Sequence, residues 1–309
     1  MTRNSVEKYM PRIRGTLIVG ALLALPAMPA HALSISTVDG NADAGLSLVN
    51  ALLAPSSGIT VQGGSTSFIG TSTQSGTFTD FSLPSSDPGE PTLNLPDGIL
   101  LTTGVADIPL SNTDTGFSNE TGTGSNTQLD AEFNGTPNYS DSNDQNVLSF
   151  SFTVDPGITS VSAELVFGSE EFSEFPSFTD AFAFFVDGTN FAVFPGGERI
   201  LQSSGTQDEF NDNEDNSYGI EYDGLTDVLG VTGLLDLNVS VHTLTLIIAD
   251  EGDTSLDSGV FLGGLTAGTE DDGGLGTPSE VPVPAAFPLL FTGLLGFGIL
   301  KSRRKQMPA

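Results

Sequence analysis

The stretch Val147-Leu148-Ser149-Phe150-Ser151-Phe152-Thr153-Val154 decides the fold class. Leu148, Phe150, Phe152 and Val154 recur at every second position, with Ser149, Ser151 and Thr153 between them. A period of two puts apolar side chains on one face of a strand and hydroxyls on the other. Asp155-Pro156-Gly157 turns the chain, and Val161, Ala163, Leu165 and Phe167 resume the alternation. The two runs predict a half-buried antiparallel hairpin.

The pattern continues outward. Ala181–Val186 is apolar on both faces and reads as a central strand. Asp187-Gly188 is a strong two-residue hairpin signal, with Phe191–Phe194 as the returning strand. Leu225–Val231, Val239–Ala249 and Val260–Leu265 add further strands. Helical spacing is clear only in Ala44–Leu53, which Pro55 ends. Ser111–Asn126 is rich in Ser, Thr, Asn and Gly and reads as a surface excursion. The expectation is an all-β domain over residues 33–266, a jelly-roll-like antiparallel β-sandwich with one short N-terminal helix.

Both chain ends read as targeting segments. Arg3, Lys8, Arg12 and Arg14 precede the apolar run Thr16–Leu25, and Ala30-His31-Ala32 is a small-x-small site. This pattern predicts a signal peptide over 1–32, cleaved after Ala32, and an exported protein. A Gly/acidic linker is expected over 267–280. Val281-Pro282-Val283-Pro284 then leads into the apolar run Ala285–Leu300, which stops at Lys301, Arg303, Arg304 and Lys305. Such a helix would be about 24 Å long against a hydrocarbon core of roughly 30 Å, a marginal span with its basic end in the cytoplasm. The tail, 281–309, resembles a PEP-CTERM sorting signal, with Pro282-Val283-Pro284 in place of Pro-Glu-Pro. That resemblance implies an exosortase-type processing enzyme as partner in a Gram-negative bacterium. It also implies transient anchoring in the inner membrane, then release to the cell surface or extracellular matrix.

Between these ends stand 38 of the 39 acids and a single base, Arg199, a net charge of −37. Such a surface repels nucleic acid and attracts divalent cations, and it destabilises its own compact state. There is no Cys, and His242 is the only histidine after His31. Thiolate and histidine metal sites and a Ser-His-Asp triad are therefore poor readings. A hard, oxygen-ligated ion fits, Ca²⁺ before Mg²⁺.

Two acidic motifs stand out, Phe167-Gly168-Ser169-Glu170-Glu171-Phe172 running on to Asp180-Ala181-Phe182, and Ala249-Asp250-Glu251-Gly252-Asp253 running on to Asp257-Ser258-Gly259. With Leu48–Leu53, Asp97–Gly104 and Gly219–Gly224, they resemble the choice-of-anchor L domain of bacterial surface proteins. The resemblance implies an extracellular β-rich surface domain and brings no ligand residues. The motifs set carboxylates where strands end. We expect Glu170, Glu171, Asp180, Asp250, Asp253 and Asp257 to converge on a Ca²⁺ ion, which takes six to eight oxygens. The competing reading has Asp250 and Asp257 capping turns and the glutamates solvated. The acidic run Gln207–Asn216 lacks the glycine and glutamate of an EF-hand and reads as a flexible loop.

A glycoside hydrolase would need two carboxylates, and a pair such as Glu171 with Asp253 is the alternative. Adjacent Glu170 and Glu171 would point to opposite faces of a strand and could not form that pair unless a bulge intervened. Trp is absent, so sugar stacking would fall to Tyr139, Tyr218, Tyr222 or an exposed Phe. The functional expectation is a non-enzymatic, Ca²⁺-stabilised protein of the surface or biofilm matrix. It would act in adhesion or in association with extracellular polysaccharide.

Overall fold

The computed structural model describes residues 32–38, 43–114, 116–137, 139–173, 180–194, 196–201 and 206–278. Two units are distinguished, Met1–His31 and Ala32–Ala309, and all of the first lies outside the described residues. So do Ala30 and the tail residues Val281, Pro282, Val283, Pro284, Arg303 and Arg304. Ala32 is exposed and leads directly into the first strand.

In chain order the strands are β1 (Ser34–Thr37), β2 (Ile59–Val61), β3 (Ser67–Ile69), β4 (Ser75–Thr79), β5 (Ser82–Leu83), β6 (Leu93–Asn94) and β7 (Gly98–Thr102). There follow β8 (Ser142–Val154), β9 (Ser160–Ser169), β10 (Ala181–Val186), β11 (Thr189–Asn190) and β12 (Phe210–Asp212). The last are β13 (Gly224–Thr226), β14 (Leu229–Leu234), β15 (His242–Glu251), β16 (Ser258–Gly268) and β17 (Gly274–Gly276). The large sheet runs β1-β4-β7-β16-β9-β13-β12, with β14 on β9 and β17 on β14. The small sheet runs β11-β10-β15-β8-β2, with β3 also on β8. The described strands pair antiparallel, and the two sheets enclose the main core: the all-β sandwich is as expected.

The hairpin is not. β8 and β9 lie in different sheets, and Leu148, Phe150 and Phe152 meet Leu165 and Phe167 across the core. Periodicity sets which face is apolar; it does not choose the partner strand. The Asp187-Gly188 turn does form a hairpin, with φ of 49° and 86° pairing Val186 with Thr189. Two positive φ values match the right-handed twist of the strands. The return strand is only β11, because the Asn190 carboxamide oxygen accepts from the Phe184 and Ala192 backbone N–H groups and ends the ladder.

Strand β10 is apolar on both faces because both are covered. Phe182, Phe184 and Val186 enter the main core, whereas Ala181, Ala183 and Phe185 pack with Leu129 and Phe133. Those two residues belong to α2 (Thr127–Phe133), a second helix beyond the expected α1 (Ala44–Leu52). Two turns are too short to display a period. Its signal was the cap Asn126, whose side chain accepts from Gln128 and Leu129 N–H at 3.0 Å each.

Three expected loops are tied down. Of the expected linker 267–280, residues 267–278 are described and docked: β16 runs on to Gly268, and β17 pairs with β14 and buries Leu275. The acidic loop at 207–216 is pinned by buried Asn213, which donates to the Ile220 and Tyr222 carbonyls and accepts from Tyr218 N–H. The described residues of the 111–126 excursion form a strap whose polar groups face buried carboxylates.

Candidate metal centre

The acidic motifs fall at one end of both sheets. Ser169 pairs with Ser258 and with Gly224, so the next step outward sets Asp223, Glu170 and Asp257 side by side on three neighbouring strands. Glu170 N–H donates to the Asp257 carbonyl at 3.2 Å. In the small sheet Ala181 pairs with Ala249, which sets Asp180 beside Asp250. Like charges opposed on neighbouring strands are destabilising. These are also buried: Asp180 is 0% exposed, and Glu170, Glu171, Asp250 and Asp257 are each 1% exposed.

Strand alternation divides the acids between faces. Val166 and Phe261 point to the outer cluster on the large sheet, and Phe167 and Val260 to the core between the sheets. Carried one step past Ser169 and Ser258, where the strands end, the count sends Glu170 and Asp257 outward; Glu171 lies one residue further, in a bend. Their surroundings agree. Glu170 stands among Asp223, Glu221 and Asp257, and Glu171 among Asp180, Asp253 and Glu251. On the small sheet Phe182 and Ile248 face the core, so Asp180 and Asp250 face the mouth between the sheets.

Tyr222 fills the outer group. Its ring lies over Gly168 and Gly259, which pair with each other, and a Cβ on Gly168 would meet the ring at 2.6 Å. Gly104 likewise leaves room that the Asp257 carboxylate occupies. Glycine at these positions admits side chains that a Cβ would displace.

Several of these oxygens lack partners. Both Glu170 oxygens, Glu221 Oε2 and the Tyr222 hydroxyl are buried without a hydrogen bond in the outer group. Both Asp250 oxygens, Asp180 Oδ2 and Ser258 Oγ are so in the inner one. The Phe117 backbone near Glu170, Ser258 near Asp180, and Thr103 and the Asp180 carboxyl near Asp250 stand close enough to bias these protons, yet outside hydrogen-bond geometry. A buried, uncompensated carboxylate neutralises or finds a cation. Burial, reinforced by Asp223 and Glu221, pushes Glu170 up to about 9. Burial raises Asp257 to about 6, against hydrogen bonds from Asn119 that oppose the shift. Burial first, then Asp180, raises Glu171 and Asp250 well above the carboxylate range; burial does the same to Asp180.

Other acids are held by the strap. Asp144 accepts from Thr121 and Gly122 N–H at 2.8 and 2.7 Å, and Asp257 from Asn119 N–H at 2.9 Å. Glu221 Oε1 accepts from Asp114 N–H at 2.9 Å, and Asp223 from the Asn112 side chain at 2.6 Å. Glu251 accepts from Ser140 N–H.

Of the six expected ligands, Glu171, Asp180 and Asp250 share the inner group, Glu170 and Asp257 the outer. Asp253 is only half-buried and accepts from Ser255 N–H at 3.0 Å, a local turn at the margin. Asp144, Glu221, Asp223 and Glu251 went unforeseen as members. The alternation of Glu221 and Asp223 around Tyr222, inside Gly219–Gly224, was the signal that could have found two of them. Among the described residues no three carboxylates enclose one point at ligating distance, so a bound ion would draw side chains inward. Tyr218 and Tyr222 are buried, Tyr139 stacks on Phe133, and no described Phe is exposed. His242 is buried too, its Nδ1 2.7 Å from the Asp187 carboxylate.

The family model of the choice-of-anchor L domain matches residues 37–266, well over half of the chain. The chain belongs to the choice-of-anchor L domain family. A choice-of-anchor L domain marks a cell-surface or extracellular protein, and the family is not one of enzymes. No curated protein and no solved structure matches this choice-of-anchor L chain. Among the described residues no helix is long and apolar enough to cross a membrane; the run Ala285–Leu300 lies outside them.

Proposed function

We propose that this choice-of-anchor L protein is a non-enzymatic adhesin or matrix component whose acidic end binds Ca²⁺. One observation carries the reading: both Asp250 oxygens and both Glu170 oxygens are buried without hydrogen-bond partners, each beside further acids. The donors are all oxygen, the chemistry of a hard cation, and extracellular modules bind Ca²⁺ at about 10⁻⁴–10⁻³ M. With no exposed aromatic platform among the described residues, retention of an anionic polysaccharide would run through the ion rather than through stacking. The tail supports a sorting route in which an exosortase-type enzyme releases the protein from the inner membrane to the surface or biofilm matrix.

Calorimetric titration of EDTA-stripped protein with CaCl₂ tests the ion, and absence of both heat and any rise in melting temperature would reject it. Incubation with a panel of anionic polysaccharides tests the role. Calcium-dependent retention without new reducing ends is the expected result, whereas released reducing ends would make the protein a glycoside hydrolase.

A further inference from the structure

We infer that the acidic end takes two divalent cations per chain, one on the outer face of the large sheet and one in the mouth between the sheets. This rests on the calcium reading above and goes beyond it. Glu170 and Glu171 are successive residues in the bend that follows β9, and their carboxyls have different neighbours, so the two glutamates serve different groups.

Each glutamate has its own company. Glu170 lies with Asp257, Glu221 and Asp223 beneath Tyr222, and Glu171 lies with Asp180. Asp180 adjoins Asp250 in turn. Each group holds buried oxygens without hydrogen-bond partners on side chains at most 1% exposed: both oxygens of Glu170, Glu221 Oε2 and the Tyr222 hydroxyl outside, both oxygens of Asp250 and Asp180 Oδ2 inside. Those oxygens are a second observation beyond the clustering of acids. Asp257 and the Tyr222 hydroxyl are close to both groups and stand between them.

Charge arithmetic points the same way. Nine acids of this end are at most 2% exposed: the five above that come from the expected set, together with Asp144, Glu221, Asp223 and Glu251. The one described base, Arg199, pairs elsewhere with Glu132 at 2.9 Å. A single divalent ion offsets two ionised carboxyls and leaves the acids of the other group without a counter-charge. Two ions give each face its own counter-charge.

Native mass spectrometry of the full chain, stripped with EDTA and titrated with CaCl₂, counts the ions. Two per chain at saturation is the expected result. One per chain overturns this inference while leaving calcium binding intact, and none removes both. Glu170→Gln should retain one ion and Asp250→Asn one ion, with the double variant binding none. Loss of both ions in a single variant that still melts cooperatively, or of neither, also overturns the two-site arrangement. The wild-type count decides even if a variant does not fold.

Discussion

Tyr222 shows how one side chain can report on a site. It is fully buried across a pair of glycines, and its hydroxyl has no hydrogen-bond partner although Asp257, Glu170, Asp180 and Asp250 all lie near it. A buried polar group left unsatisfied costs about 1–3 kcal/mol. Tyr222→Phe should therefore stabilise the calcium-free protein by about 1 kcal/mol, roughly 2–4 °C in melting temperature at this size. In calcium the same substitution should weaken binding, because the hydroxyl is one of the oxygens facing the outer group. Scanning calorimetry with and without EDTA checks both; a variant less stable in both conditions would mean the ring's packing is all that matters. Gly104 is the corresponding residue beside Asp257, and its role was invisible in sequence because the neighbour lies 153 positions away.

At the scale of elements, the two-residue turn at Asp187-Gly188 was legible because its chemistry is local. Gly188 has φ 86°, where a Cβ meets the following carbonyl and costs roughly 1–2 kcal/mol. Gly188→Ala should lower stability by about that amount while leaving calcium stoichiometry unchanged, since the turn lies at the other end of β10 from Asp180. Chemical denaturation alongside calcium titration measures the two effects separately. Strands β8 and β9 show the opposite case. Their alternation was read correctly as strand, yet their pairing was not, because an apolar face is satisfied equally by a sheet neighbour or by the opposite sheet. The strap at 111–126 was missed for a related reason: its backbone N–H groups serve Asp144, Glu221 and Asp257, and nothing within the strap names those partners.

For the whole molecule, electrostatics sets the pH response. Folding raises Glu170 to about 9 and Asp257 to about 6, and raises Glu171, Asp180 and Asp250 as well, chiefly through burial. The folded chain then holds protons that the unfolded chain has released, so stability falls as pH rises. This contribution is complete below about pH 4 and is lost as pH climbs toward about 9. Surface self-repulsion acts in the same direction. In EDTA the melting temperature should fall steadily from pH 5 to pH 9. Saturating calcium should flatten the slope, since the ion replaces protons and binds better as they leave. At a hundredfold excess over Kd each site should add about 2.7 kcal/mol, roughly 5–10 °C. Identical melting profiles with and without calcium would reject the coupling.

The sequence by itself determined that this is a cysteine-free, acid-loaded β chain. Period-two alternation, turn residues and net charge are properties of neighbours along the chain. It also marked Glu170, Glu171, Asp180, Asp250 and Asp257, because each stands where an apolar strand begins or stops. Only the tertiary structure decided which strands share a sheet. By bringing five strand ends to one place, it decided that those acids are buried in two groups, joined by Glu221, Asp223, Asp144 and Glu251. Burial is a collective property: a carboxylate becomes costly only once strands distant in sequence have closed around it.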